Sequence, residues 1–168
     1  MSYAIVYSSV TGNTALLAQA IRETLPWETC CYFGAPDPQA LSAERIYVGF
    51  WTDRGTCDAA TAQFLRQLTR QEVFLFGTAG FGGDSAYFQR ILERAEENLG
   101  PEVRVVGTYM CQGKMPMAVR KRYEAMQEKA PQDEKIKMMM ENFDKAASHP
   151  DKTDLARLGK AVADLISE

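Results

Sequence analysis

The residues Ser8-Ser9-Val10-Thr11-Gly12-Asn13-Thr14 place four hydroxyl side chains, one glycine and one asparagine between an apolar run, Tyr3 to Tyr7, and a helical pattern. The segment carries no charge, so any ligand here is held by backbone and hydroxyl groups. Unpaired amides at a helix N-terminus and the helix dipole both favour an anion, and phosphate is the anion such a seam suits best. A Walker A loop needs Gly-Lys-Ser/Thr, but Gly113-Lys114 and Gly159-Lys160 are each followed by another residue. A dinucleotide fingerprint needs G-x-G-x-x-G, and only Gly12 is present. The seam therefore predicts a seat for one terminal phosphate, without a lysine or a metal. Its other reading is a Ser/Thr-rich helix cap.

Two further segments could contribute. In Phe50-Trp51-Thr52-Asp53-Arg54-Gly55-Thr56-Cys57, Trp51 follows a buried strand and would emerge at the upper edge of a sheet. There it could stack on a planar ring, or close the end of the core. In Gly77-Thr78-Ala79-Gly80-Phe81-Gly82-Gly83-Asp84-Ser85-Ala86-Tyr87, the four glycines let a backbone press close to a ligand, and Phe81 and Tyr87 offer aromatic faces. Phosphate seat, stacking tryptophan and glycine-rich clamp together describe a site for a phosphorylated planar heterocycle.

These segments need strands and helices to bring them together. Apolar runs at 3–8, 27–33, 45–51, 72–77 and 103–111 alternate with helical patterns, including Leu17, Ile21 and Leu25, then Ala60, Phe64 and Leu68, then Phe88, Ile91, Leu92, Ala95 and Leu99. After an Asp151 cap, Leu155, Leu158, Val162 and Leu165 mark the last helix. Continuous apolar strands alternating with amphipathic helices predict an α/β domain, a five-stranded parallel sheet doubly wound in three layers. In such a sheet ligands sit outside the carboxyl ends of the strands, where all three loops fall.

Residues 112–150 break the rhythm. They are charged, helical in propensity and interrupted by Pro116 and Pro131, and apart from Met1 every methionine lies between Met110 and Met140. We read them as a helical insertion before the last helix of a single domain spanning 1–168. The expected packing is an amphipathic hairpin with its methionines against the domain; the other reading is a partner surface, since methionine adapts to varied apolar partners. Cys111 to Pro116, directly after the fifth strand, should lie near the ligand end of the sheet. His149, in Ser-His-Pro-Asp, reads as part of a capping turn rather than a ligand.

Of the 168 residues, 46% are hydrophobic and 24% charged, the balance of a water-soluble globular domain. A formal net charge of −3 and a pI near 5.3 argue against a general nucleic-acid binder. No apolar stretch reaches the length of a membrane span, and the start MSYAIVYSS lacks a basic n-region and a cleavage site. Cys30, Cys31, Cys57 and Cys111 are not spaced as a zinc site or a C-x-x-C motif; free, mostly buried thiols in a reducing cytoplasm are expected.

The sequence resembles the flavodoxins. Their phosphate loop, [S/T]-x-T-G-x-T after the first strand, is matched by Ser9-Val10-Thr11-Gly12-Asn13-Thr14. The likeness covers roughly residues 1–111 and 151–168. It implies strand order 2-1-3-4-5, and FMN held by Ser8 through Thr14, by Phe50 through Gly55, and by Thr78 through Gly83 with Tyr87. Trp51 would be one wall of the flavin, and Phe81 or Tyr87 the other. Gly55, or the peptides from Thr52 onward, would supply the backbone that turns toward the flavin on reduction. The resemblance implies a cytoplasmic carrier, monomer or weak dimer, that shuttles electrons between redox partner proteins and has no catalytic acid or base. A related enzymatic reading is a small FMN-dependent NAD(P)H or quinone reductase, or an electron-donating subunit of a dedicated reductase such as a bilirubin reductase. Arg54 departs from the pattern: a cation facing the ring would raise the potential of the reduced flavin and give a weaker reductant.

Overall fold

The computed structural model describes residues 1–82 and 84–167. Its elements run β1 (Tyr3–Tyr7), α1 (Asn13–Thr24), β2 (Cys30–Gly34), β3 (Arg45–Asp53), β4 (Thr56–Cys57), α2 (Ala59–Leu65), β5 (Glu72–Ala79), α3 (Ser85–Glu96), β6 (Arg104–Gln112), α4 (Met117–Lys129), α5 (Glu134–Ala146) and α6 (Lys152–Ile166). The sheet order is β2-β1-β3-β5-β6, all parallel, and β4 pairs antiparallel with β3. With β4 set aside, this is the expected order 2-1-3-4-5.

Alternation along the strands sorts the core into two layers. Ala4, Val6, Ile46, Val48 and Leu75 face Phe64, Leu65, Ile91 and Leu92 of α2 and α3. Tyr3, Ile5, Tyr47, Phe74 and Phe76 face Leu17, Ile21, Leu158 and Val162 of α1 and α6. Both faces of the sheet are covered, which is why its strands read as continuous apolar runs. In the two central strands the register sets Gly49 beside Phe76 and Phe50 beside Gly77. Each phenylalanine ring lies over the glycine across from it. A Cβ on Gly49 would fall 2.3 Å from the Phe76 ring, and one on Gly77 would fall 2.4 Å from the Phe50 ring.

Three local differences from the expected elements have physical causes. Residues 27–29 form a 3₁₀ turn, because β1 begins opposite Cys30 and offers Trp27 to Thr29 no strand to pair with; Trp27 is 68% exposed. The second loop is a tight hairpin: β3 runs on to Asp53 and β4 returns from Thr56. Arg54 and Gly55 sit between them with φ of 53° and 82°, the positive values that two-residue hairpins require. The insertion does form a helical hairpin, but its inner face is made by Tyr123, Ile136, Phe143 and Ala146. Met117, Met126 and Met138 are exposed, contrary to the expected packing of the methionines. Aromatic and branched side chains fill the narrow seam between α4 and α5, and Arg120 spans it to Asp144 and the Phe143 ring.

All four cysteines are free. Cys57 and Cys111 are buried, whereas Cys30 is half-buried and Cys31 exposed on the opposite face of β2. Burial pushes the thiols of Cys57 and Cys111 up, so both stay protonated at neutral pH. His149 does belong to a capping turn: its Nδ1 lies 2.6 Å from Asp154 Oδ2, and Asp151 and Asp154 complete the capping box of α6. These three side chains stand within 4.8 Å of one another, and the cap accounts for their proximity. Among the described residues no helix is long and apolar enough to cross a membrane.

At the other end of the sheet, Glu72 joins Arg45 and Arg104 and ties three neighbouring strands. Burial works against its ionisation. The hydrogen bond and charge of Arg45, with Arg104 beside it, outweigh burial and hold the carboxyl below its ordinary value. A depressed folded-state value means stability that is present above the unfolded value of about 4.3 and lost as pH falls through the folded one. Glu72→Gln is expected to cost about 2 kcal/mol at pH 7 by leaving Arg45 half-buried without its carboxylate. Urea midpoints of the two proteins should draw together as pH falls from about 4.3 through the depressed folded-state value; a gap that stays constant would show that charge is not the cause.

Candidate functional site

The carboxyl ends of β1, β3, β5 and β6 surround a cleft of about 180 Å³ lined by Val10, Thr11, Asn13, Trp51, Thr52, Thr78, Ala79, Gly80, Gly113, Lys114, Met115 and Pro116. All three loops singled out in the sequence reach it, together with a fourth segment, the strap Gly113–Pro116 between β6 and α4.

The first loop turns sharply to start α1. Gly12 is the N-cap with φ 90°, a conformation that a side chain would strain. Ser9 Oγ accepts the Gly12 N–H at 3.2 Å and the Ala15 N–H at 3.4 Å, so this hydroxyl does cap the helix. Among the described residues, no acceptor takes the backbone N–H of Val10, Thr11, Asn13 or Thr14. Thr14 is fully buried beneath the loop; its Oγ1 donates to the Phe50 carbonyl at 3.1 Å and lies 3.3 Å from Thr78 Oγ1. Asn13 is 7% exposed. Its Nδ2 donates to the Lys114 carbonyl at 2.8 Å, while its Oδ1 is buried without a partner. A buried acceptor left unpaired costs about 1–3 kcal/mol, so this atom is a natural place for a hydroxyl donor from a ligand.

The second loop delivers Trp51 and Thr52 to the cleft. Asp58, 2% exposed, holds the Trp51 backbone from both sides: its Oδ1 accepts the Trp51 N–H at 3.3 Å, and its own N–H donates to the Trp51 carbonyl at 3.1 Å. Thr52 Oγ1 donates to the Thr78 carbonyl at 2.8 Å, locking the ends of β3 and β5 together. Phe50 points into the core, Asp53 ends β3 paired with Thr56, and Arg54 and Gly55 form the hairpin turn; none of the four lines the cleft. The Gly55 carbonyl accepts from Arg94 of α3 at 3.2 Å, and Arg54 is exposed at the tip.

From the third segment, Thr78, Ala79 and Gly80 line the cleft. Gly82 packs against the Gln112 side chain, Phe81 is 43% exposed, and Tyr87 sits in the first turn of α3 beside Phe88 with Arg90 over its ring. Neither aromatic residue lines the cleft. Gly83 lies outside the described residues. Ser8 donates its N–H to the Gly49 carbonyl at the base of the first loop.

The strap completes the enclosure. Gly113 N–H donates to the Ala79 carbonyl at 2.9 Å, and Lys114 N–H donates to the His149 carbonyl at 2.9 Å. Gln112 Nε2 and Asn142 Nδ2 both donate to the Gly80 carbonyl, at 2.9 and 3.0 Å, and Gln112 also reaches Asn142 Oδ1 at 3.0 Å. The strap brings Lys114 to the cleft, as expected of the segment Cys111 to Pro116. Its only signal in the sequence was position, directly after the last parallel strand. Lys114 is the one ionisable side chain among the described residues lining the cleft.

These groups fit a flavin mononucleotide. Free amides at the start of the 12-residue helix α1 suit a phosphate dianion, Asn13 Oδ1 suits a sugar-chain hydroxyl, and Trp51 presents an indole to a planar ring. A larger hollow of about 350 Å³ lies at the opposite end of the sheet, between Tyr3, Thr29, Arg45 and Tyr47, away from the three loops.

A family model described as a flavodoxin domain matches residues 4–163. The flavodoxin-like domain-containing protein BilS of Clostridium symbiosum (strain WAL-14163) is 42% identical over 173 residues, covering 93% of this chain and 91% of its own length. Among solved structures, a short-chain flavodoxin associated with a non-canonical PDU bacterial microcompartment is 14% identical, with a TM-score of 0.62 over 99% of this chain and 98% of its own. A flavoprotein from Lactobacillus acidophilus solved in complex with FMN is 15% identical, with a TM-score of 0.50 over 65% of this chain and 92% of its own. The likeness to these two structures is one of fold.

Proposed function

The chain belongs to the flavodoxin family, and we propose that it binds FMN and carries electrons between redox partner proteins in the cytoplasm. The observation that carries this reading is the convergence, at one cleft, of the free α1 amides, the unpaired Asn13 Oδ1 and the indole of Trp51. When bound, FMN supplies one- and two-electron chemistry; the chain's residues bind it, orient it and set its surroundings.

The lining favours a carrier over a stand-alone oxidoreductase. Proton transfer to a substrate needs a positioned acid or base, and Lys114 is the only ionisable side chain on the cleft wall among the described residues. The exposed methionines of the α4–α5 hairpin, next to the strap, favour a dedicated protein partner. This supports the second reading, an electron-donating subunit of a dedicated reductase such as a bilirubin reductase. A small NAD(P)H or quinone reductase has less support.

The test is the visible spectrum of the purified protein after incubation with FMN and desalting. Retained flavin bands at one equivalent, reducible in steps under anaerobic conditions, with no consumption of NAD(P)H by the protein alone, are expected. A protein that stays colourless overturns FMN binding, and steady NAD(P)H oxidation overturns the carrier reading.

A further inference from the structure

We propose that Met115, carried by the strap after β6, is a wall of the flavin site and takes the place expected of an aromatic residue from the loop after β5. The proposal rests on the FMN reading. Phe81 and Tyr87 do not line the cleft, one being exposed and the other packed along α3. Met115 does, and its Cγ and Sδ occupy the space that a side chain on Gly80 would take, 2.6 and 2.7 Å from the position of a Cβ there. The absence of a side chain at Gly80 is what lets the thioether lie along the end of β5.

The strap is rigid enough to hold it. The residue before Met115 is fixed through both its backbone groups, the Lys114 carbonyl by Asn13 and the Lys114 N–H by His149, and Pro116 behind it opens α4. Asn13 belongs to the loop expected to hold the phosphate, so one side chain ties the phosphate seat to the wall. A thioether is apolar and polarisable and makes favourable contacts with aromatic rings. It would shield one side of the heterocycle from water without adding charge.

The experiment is a titration of the protein, freed of flavin, with FMN, read by quenching of flavin fluorescence and by the visible band of the bound flavin. Met115→Ala is expected to weaken binding by about tenfold and to shift the band. Met115→Leu, which keeps the volume, should restore affinity to within about threefold. Gly80→Ala leaves Met115 in the sequence but displaces it, and its backbone φ is not in the left-handed region, so it should behave like Met115→Ala. Met117→Ala, exposed and off the cleft, should match the unaltered protein. If Met115→Ala loses its far-UV circular dichroism, Gly80→Ala and Met115→Leu decide. Met115→Ala and Gly80→Ala binding FMN with unaltered affinity and band would overturn the wall while leaving FMN binding intact. Failure of the unaltered protein to take up FMN would overturn the FMN reading, and the wall with it.

Discussion

Trp51→Ala is expected to weaken FMN binding by close to a hundredfold, about 2 to 3 kcal/mol. The indole gives both a large apolar area and an offset-stacking face, and the structure fixes the backbone that carries it. Asp58 accepts the Trp51 N–H and donates to the Trp51 carbonyl, and the same carboxylate caps α2 by accepting from the Thr61 N–H at 3.2 Å. Little ordering of the Trp51 backbone is then left to oppose binding. Because Trp51 is only half-buried, its loss should move the urea midpoint of the apoprotein little. Trp51→Phe should recover most of the affinity. Flavin fluorescence titrations check this, and a change below threefold for Trp51→Ala would assign the indole to the core instead.

Gly49→Ala and Gly77→Ala should each destabilise the fold by about 3 kcal/mol. The two sites form a reciprocal pair: Phe76 of β5 covers Gly49 of β3, and Phe50 of β3 covers Gly77 of β5, on opposite faces of the sheet. The rings are fully buried in close-packed layers, so an added methyl can be admitted only by moving a strand or forcing a phenylalanine off its rotamer. At Gly49 the methyl would also meet Thr14 Cγ2 at 2.9 Å, so this variant should disturb the phosphate seat as well. Urea denaturation gives the stability, and FMN titration of the folded fraction gives the second effect. Gly49→Ala should bind FMN more weakly than Gly77→Ala. Midpoints unmoved for both would mean that the central strands can slide apart freely.

The architecture was legible because each parallel strand, buried on both faces, is a continuous apolar run, and because each helix shows its apolar stripe. Sheet order and the meeting of the loops at the carboxyl ends followed from that pattern. Less legible was whatever depends on turn geometry or on distant partners. Asp53-Arg54-Gly55-Thr56 gives a weak hairpin signal, because arginine seldom takes the positive φ found at Arg54. The third segment was read as a loop from Gly77, yet β5 continues to Ala79 because β6 pairs with it as far as Gln112. Phe81 and Tyr87 have the right chemistry for a stacking wall, yet neither lines the cleft. The contact between Asn13 and Lys114 spans 101 residues, and no local pattern encodes it. The methionines of the insertion misled for a related reason. A stripe of apolar residues states which side of a helix is apolar, but not whether a neighbour with better-shaped side chains has already filled the seam.

The doubly occupied carbonyl of Gly80 has a consequence for how the molecule opens. With its carbonyl taking hydrogen bonds from both Gln112 and Asn142, Gly80 at the end of β5 gives the end of β6 and α5 one shared acceptor, and neither can leave it without losing a hydrogen bond. The insertion is thereby tied to the cleft through Asn142, and the two are expected to open together in hydrogen exchange. A ligand that steadies the cleft should then lower the population of open forms of the hairpin, and by linkage whatever binds the closed hairpin should tighten the cleft by the same factor.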